Sequence, residues 1–343
     1  MVSINKIKKP TKIVADLDSL LFAAASSAQD VVYRYHTQDE SFAVEFPSAT
    51  EGKHWLECIE AFGGYDTLHG YSGDLDDLIR TVRYDVGDVK TATKTFDKLL
   101  EEALEEIPHK QWKGKVASKS GARCHRNDIC TLYPYKGNRD SSKKPYYLDD
   151  VRRHALKYKQ VSKSTGGRES DDFVCAIAQK YGSDCVLWMQ EKDGFGVTGT
   201  WFYAPNLMDE MYYSDENIIG EIWIDEKGRM KGAGLMFWIA QAIAGDSADN
   251  YKGCKGVGPK GAVNLLEPFS GKGWNHLKPC IHSVLEVFRD AYGDKYEYNH
   301  CYTGEKMVAS FKDVFLENML LAYMVKFEGD KPDNIIKLVE EFK

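Results

Sequence analysis

The sequence predicts an α/β core with a mostly parallel sheet, followed by a second, smaller and mostly helical domain. Three observations lead there. Apolar runs that read as strands alternate with helical stretches between Lys12 and Tyr213. One of these runs, Cys185 to Met189, is apolar throughout, as expected of a parallel strand covered on both faces. From Gly234 onward the pattern is mostly helical, and 343 residues suffice for two domains.

In chain order, Lys12-Ile13-Val14-Ala15 reads as a buried strand running into Asp16-Leu17-Asp18, and Leu20 to Ala28 as a helix. Residues 31–90 are less regular and read as an insertion, with a hairpin formed by Val31–Tyr35 and Ser41–Phe46. Thr93 to Ile107 is an amphipathic helix with Phe96, Leu99, Leu100, Leu104 and Ile107 on one side. Lys115-Val116-Ala117 is a candidate second strand, and Leu148 to Tyr158 a helix. Another helix follows Gly166-Gly167, burying Phe173, Val174, Ile177, Ala178 and Tyr181. Phe202-Tyr203 and Met211–Tyr213 add short strands. The expected division is a core over residues 1–233 and a helical domain over 234–343.

Composition narrows the class. Hydrophobic content of 43% with 28% charged residues describes a globular chain rather than a disordered one. No run approaches the roughly 18–20 apolar residues of a membrane helix. No signal-peptide pattern opens the sequence, so an intracellular, cytoplasmic protein without a membrane partner is expected. The eight cysteines form no CxxC pair, which argues against structural zinc and for reduced thiols. Net charge is −7, yet Lys110 to Arg168 holds sixteen Lys and Arg against four Asp. A solvated basic face would explain this block; so would binding to a phosphate backbone.

Carboxylates gather where the strands and helices begin or end. Asp16 and Asp18 follow the first strand; Glu169, Asp171 and Asp172 open the helix after Gly166-Gly167. Glu191 and Asp193 follow the strand ending at Met189, and in an extended segment their i, i+2 spacing faces one site. Asp246 and Asp249 follow the apolar helix ending near Gly245. Singly, each cluster is explained by helix capping or a polar loop. Together, at the carboxyl ends of strands in an open α/β sheet, they would repel strongly unless divalent cations joined them. All-oxygen ligation points to Mg²⁺ or Mn²⁺, and two such ions suit phosphodiester cleavage.

The motifs "ADLD", "YKGNR", "ESDD", "EKD" and "GDSADNYKGCKGVGPKGA" occur in the order found in the flap-endonuclease-like 5′ nucleases. The chain resembles that family over roughly residues 12–28 and 112–266, and most closely its bacteriophage 5′→3′ exonucleases, enzymes of DNA replication. The resemblance implies a PIN-like 5′-nuclease core, a helical arch at about residues 126–165, and a helix–three-turn–helix that holds duplex DNA. It implies metal ligands at Asp16, Glu169, Asp171, Asp172, Glu191, Asp193, Asp246 and Asp249, with Asp18 as an outer neighbour. Glu191 stands where the family more often has Asp. Lys136 and Arg139 would contact the scissile phosphate from the base of the arch, Pro134 opening a helix there. Tyr135 would stack on a terminal base. Gly256, Gly258 and Lys260 would grip duplex phosphates, a β-branched replacement at Gly258 resisting the tight loop. Backbone carbonyls of that motif would also hold K⁺. The family's further aspartate after the second strand is missing: Ser118 or a neighbour takes its place, and Asp128 is the nearest carboxylate downstream.

The implied function is a monomeric 5′→3′ exonuclease acting on double-stranded DNA with 5′ ends and leaving 5′-phosphates. Flap endonuclease or RNase H-type cleavage at flaps or RNA–DNA junctions fits the same architecture. A DNA-junction binding protein of weak catalysis is the reading favoured by the residue at Ser118.

Overall fold

The computed structural model describes residues 9–66, 68–117, 123–139 and 144–343, so Ser118 lies outside the described residues. Strand β1 (Lys12–Asp16) leads to α1 (Asp18–Ser26), β2 (Gln29–His36), β3 (Ala43–Phe46), α2 (Ala49–Ala61), the short β4 (Tyr65–Asp66) and β5 (Tyr71–Ser72), β6 (Ile79–Val86) and α3 (Val89–Glu105). Next come β7 (Gln111–Val116), the single turn α4 (Arg126–Ile129), α5 (Leu148–Ala155), β8 (Val161–Lys163), α6 (Ser170–Tyr181), β9 (Cys185–Trp188), β10 (Trp201–Tyr203) and β11 (Tyr212–Tyr213). A hairpin of β12 (Gly220–Ile224) and β13 (Met230–Gly234) precedes α7 (Leu235–Ala244), α8 (Pro259–Leu266) and α9 (Leu277–Tyr292). Strands β14 (Tyr296–Asn299) and β15 (Lys306–Ala309) and helices α10 (Phe311–Ala322) and α11 (Asp333–Glu341) end the chain.

The chain divides into two compact units: Met1–Ser19, Glu102–Ser142 and Leu156–Lys343 form the first, Leu20–Glu101 and Lys143–Ala155 the second. In the second unit, β2 pairs antiparallel with β3 and β6, which is the expected hairpin plus a third strand. Its own core of Tyr35, Val44, Trp55, Ile59 and Tyr71 explains why the aromatic residues of this irregular stretch are there.

The first unit is built on a six-stranded sheet in the order β11-β10-β9-β1-β7-β8, parallel at every pairing except β10 with β11. This is the α/β fold expected. Strand β9 is buried at all four residues, as its unbroken apolar sequence requires. From β1 the chain builds outward to β7 and β8, then returns to place β9 on the other side of β1. The reversal creates a switch point at the carboxyl ends of β1 and β9, where open α/β sheets bind their ligands. Helix α6 covers one side through Val174, Cys175 and Ala178, and α7 is buried along almost its full length. The two hairpins β12–β13 and β14–β15 were not legible in the sequence; the region after Gly234 is otherwise helical as expected.

Two glycines close the segment after α7. Gly245 (φ +75°) and Gly253 (φ +65°) flank a bridge between Asp246 and Tyr251, whose backbones bond in both directions at 2.8 and 3.1 Å. A Cβ on Gly253 would lie 2.3 Å from the Ile243 carbonyl oxygen and 2.4 Å from the Gly245 nitrogen. Neither position tolerates a side chain. Gly253→Ala is therefore expected to destabilise the protein by roughly 2–3 kcal/mol, read as a lower denaturation midpoint at unchanged slope.

Candidate active site

Strand β1 delivers Asp16 to the switch point, and the chain turns there so that the Asp18 amide donates to Asp16 Oδ1 at 3.1 Å. Asp18 ties three segments together: it accepts the Ala117 amide after β7 (2.9 Å) and the Ser170 hydroxyl at the start of α6 (2.7 Å). Glu169 is the N-cap of α6 and forms a reciprocal capping box with Asp172.

Asp172, expected as a metal ligand, is engaged elsewhere. Its Oδ1 accepts Arg126 (2.8 Å) and the Val325 amide (3.0 Å); its Oδ2 accepts Arg126 (3.1 Å) and the Glu169 amide (3.0 Å). With both oxygens saturated and no exposure, Asp172 has nothing left for a cation. Arg126 also reaches Glu169 Oε2 (2.9 Å) and the carbonyls of Leu321 and Tyr323 (both 3.1 Å). Sequence reasoning missed Arg126; only its place ten residues before Lys136 in a basic block marks it.

The "YKGNR" and "GDSADN" segments are laced to each other. The Lys136 amide donates to the Asp249 carbonyl (3.0 Å), Asn138 to the Ser247 carbonyl (2.6 Å), and Asn250 to the Pro134 carbonyl (2.9 Å). Pro134 opens a turn here rather than a helix, with Lys136 in the left-handed region at φ +54°. That turn brings both basic groups onto the acids. Lys136 Nζ lies 2.6 Å from Glu169 and 3.6 Å from Asp249, and Arg139 lies 3.0 Å from Asp249.

Tyr135 does not present its ring for stacking. It is 6% exposed, and its hydroxyl lies 2.7 Å from Glu169 Oε2 and 2.9 Å from Asp249 Oδ2. One phenolic proton serves one carboxylate at a time, so Tyr135 holds the two acids against each other.

Glu191 and Asp193 are not presented by an extended strand: β9 ends at Trp188, and Asp193 begins a 3₁₀ turn. Gln241 donates to Asp193 Oδ1 (3.3 Å), and the Trp238 indole to its carbonyl (3.2 Å). Gly196 makes room for that indole, since a Cβ there would fall 2.0 Å from it. Lys192 turns to Asp246 at 2.6 Å.

The acids divide electrostatically. Burial, then Asp18, pushes Asp16 well up; burial, then Asp172 and Glu169, does the same to Asp171. Burial, then Asp249 and Glu191, raises Asp193 to about 7. Burial acts on Glu169 as well, but Lys136 and Arg126 outweigh it and hold that carboxyl at about 2. Among the described residues, no Lys, Arg or His forms an ion pair with Asp16, Asp18, Asp171, Glu191 or Asp193. None of the described groups of His, Cys, Asp and Glu is already arranged around an ion position. In donor type and in uncompensated charge the unpaired acids still fit a hard divalent cation.

The loop before α8 is exposed. Gly256 needs its freedom at φ +80°, but Gly258 is extended (φ −94°) with nothing within 4 Å of a Cβ. A β-branched residue at Gly258 would therefore be unstrained, contrary to expectation; what it would obstruct is close approach from outside. Lys260 is exposed in the first turn of α8.

No protein-family model matches the chain. Curated relatives do: a 5′-3′ exonuclease of Mycoplasmopsis pulmonis is 27% identical over 155 residues, 42% of this chain and 47% of that one. A 5′-3′ exonuclease of Aquifex aeolicus is 26% identical over 106 residues, 30% of this chain and 34% of its own length. The chain is related to the 5′-3′ exonucleases. DNA polymerase I of Deinococcus radiodurans is 28% identical over 110 residues, 30% of this chain and 10% of the polymerase. These matches span less than half the length of each relative. Among solved structures, the T5 D15 protein co-crystallised with metal ions aligns at 12% identity and a TM-score of 0.47, over 96% of this chain and 97% of that one.

Two outcomes follow from the charges. Truncating Arg126 to Met leaves Asp172 buried without its partner and is expected to cost about 3–5 kcal/mol, measured by denaturant unfolding. The second concerns pH. Asp193 is raised in the folded state, so between about pH 4 and 7 the folded protein binds more protons than the unfolded chain. In chelator, stability should fall as pH rises through that window, and Asp193→Asn should flatten the fall. Added Mg²⁺ should raise the melting temperature more at pH 8 than at pH 5.5.

Proposed function

We propose that this chain is a divalent-metal-dependent 5′→3′ exonuclease that hydrolyses phosphodiester bonds of duplex DNA from 5′ ends and releases 5′-phosphate products. The observation that carries this reading is the meeting of acids from four segments with Lys136 and Arg139 at the carboxyl end of a parallel sheet. Asp16, Asp171, Glu191 and Asp193 would hold two Mg²⁺ ions, with Mn²⁺ as a substitute, and Glu169, Asp246 and Asp249 would lie at their margins. The chemistry such ions supply when bound is activation of water and neutralisation of charge on the leaving oxygen.

The chain's own residues do the rest. Lys136 and Arg139 are held over Asp249 by a turn with little freedom, so they are pre-aimed at a phosphate entering beside the acids. An incoming phosphate would exchange their carboxylate partners for its own oxygens. Tyr135 keeps Glu169 and Asp249 at fixed separation while that exchange takes place. Gly256, Gly258 and Lys260 would hold the duplex by its backbone, without reading bases, and the carbonyls of that loop would take K⁺. Residues 234–343 would then act as the duplex-holding domain and the segment at about 126–165 as the arch.

The test is cleavage of labelled blunt duplex, 5′-flap and RNA–DNA hybrid, each with Mg²⁺ and with EDTA. Cleavage from 5′ ends is expected with Mg²⁺ and none with EDTA, the three substrates ranking exonuclease, flap and RNase H activity. Asp171→Asn and Asp193→Asn should slow turnover by two or more orders of magnitude while duplex binding survives. Lys136→Ala should slow it without recovery at any Mg²⁺ concentration, because it removes charge stabilisation and no metal ligand. Full activity in EDTA would overturn the reading.

A further inference from the structure

Strand β7 carries Lys113 and Lys115 two residues apart, so both side chains leave the same face of the sheet. They run along the outer flank of α6. Lys113 Nζ lies 2.8 Å from the Tyr181 hydroxyl, and Lys115 Nζ is 4.8 Å from the centre of the Phe173 ring. Beside them is a cavity of about 360 Å³ whose wall includes Trp112, Lys113, Lys115, Lys159, Gln160 and Ser162. Arg168 stacks on the other partner of Lys115, the Phe173 ring, at 3.7 Å, and its guanidinium donates to the Lys326 carbonyl (2.7 Å).

None of these residues belongs to the acid cluster, and none has a role in the reading above. A solvated basic face would scatter its lysines among carboxylates. Here, among the described residues, no Asp or Glu forms an ion pair with Lys113, Lys115, Lys159 or Arg168; Lys12, which shares the Tyr181 ring with Lys113, pairs with Asp184. Lys115 is half-buried, and burial, then Arg168 and Lys113, pushes its pKa down. Like charges are thus packed around a cavity, without counter-charge, in a chain whose net charge is −7. An anion removes that cost. Ser162 and Gln160 add neutral hydrogen-bonding groups.

We propose that this cavity binds a phosphate of a nucleic-acid strand, as a second anion site apart from the acid cluster. The proposal rests on the nuclease reading for its choice of a strand over a free anion. Lys115 stands in register with Asp16 on the adjacent strand, at a spacing of about 5 Å. The Lys115 edge of the cavity is thus one strand over from Asp16.

The experiment compares the intact chain with Lys113→Glu/Lys159→Glu, both exposed positions, after thermal melts show the variant folded. Binding of a fluorescent oligonucleotide duplex is measured by anisotropy in EDTA over a salt series. Inorganic phosphate and deoxyadenosine monophosphate are titrated separately, followed by amide NMR shifts around Lys115 and Ser162. The variant should bind the duplex about tenfold more weakly, with a salt slope shallower by about one to two. Loss confined to the two small anions would keep the anion site and overturn the strand. Unchanged duplex affinity and unchanged phosphate shifts would overturn the proposal altogether. If the intact chain fails to bind duplex at all, the nuclease reading falls, and the phosphate titration still decides whether the cavity takes an anion.

Discussion

A guanidinium sealed from water is among the most expensive groups a protein can carry, and Arg126 is fully buried. Its cost is offset only because every direction it faces is occupied: Asp172 on one edge, Glu169 beside it, and two carbonyls from the end of α10 and the residue after it. That single group joins α4, the start of α6 and the C-terminal helices. It fixes where α6 begins, hence where Glu169 and Asp171 point. The carboxyl end of β1 would otherwise be a place where acids repel one another apart.

The same repulsion sorts the acids into two kinds. Glu169, flanked by Lys136 and Arg126, stays ionised far into acid. Asp193, where burial, Asp249 and Glu191 outweigh the opposing pull of Lys192, is raised to about 7. Groups whose environments push their ionisation in opposite directions within one cleft are characteristic of sites that do chemistry. The cations of this chain satisfy the outer acids, and the inner ones are left with a demand for positive charge.

Much of this was legible in the sequence, and the limits are instructive. The continuous apolar run at Cys185–Trp188 revealed a buried parallel strand because it is short, whereas a buried helix such as α7 carries a longer run. The acids could be placed at strand ends because apolar runs stop there. What could not be read was which acids already have partners. Asp171 and Asp172 are adjacent and chemically alike, yet among the described residues one forms no ion pair and the other is spent on an arginine 46 positions earlier in the chain. Tyr135 looked like a surface aromatic beside two cations, but its burial depends on Asp249, more than a hundred residues away. The hairpins β12–β13 and β14–β15 were missed because their short strands lie among helical stretches.

The stretch from Gly245 to Leu266 holds its glycines for two different reasons. Gly245 and Gly253 serve the interior: each sits where backbone meets backbone, and together they pinch the chain so that Asp246 and Asp249 project from a rigid bridge toward Lys192 and Arg139. Gly256 and Gly258 serve the exterior, since nothing in the protein approaches them. Gly256 is still required by its backbone at φ +80°, whereas at Gly258 neither backbone nor packing calls for glycine. The loop therefore turns its acids inward to the cleft and its bare backbone outward, and Pro259 then starts a helix whose first amides have no partner of their own. One short segment thus aims its acids at Lys192 and Arg139 and leaves bare backbone exposed on its other side, because its glycines separate the two by direction.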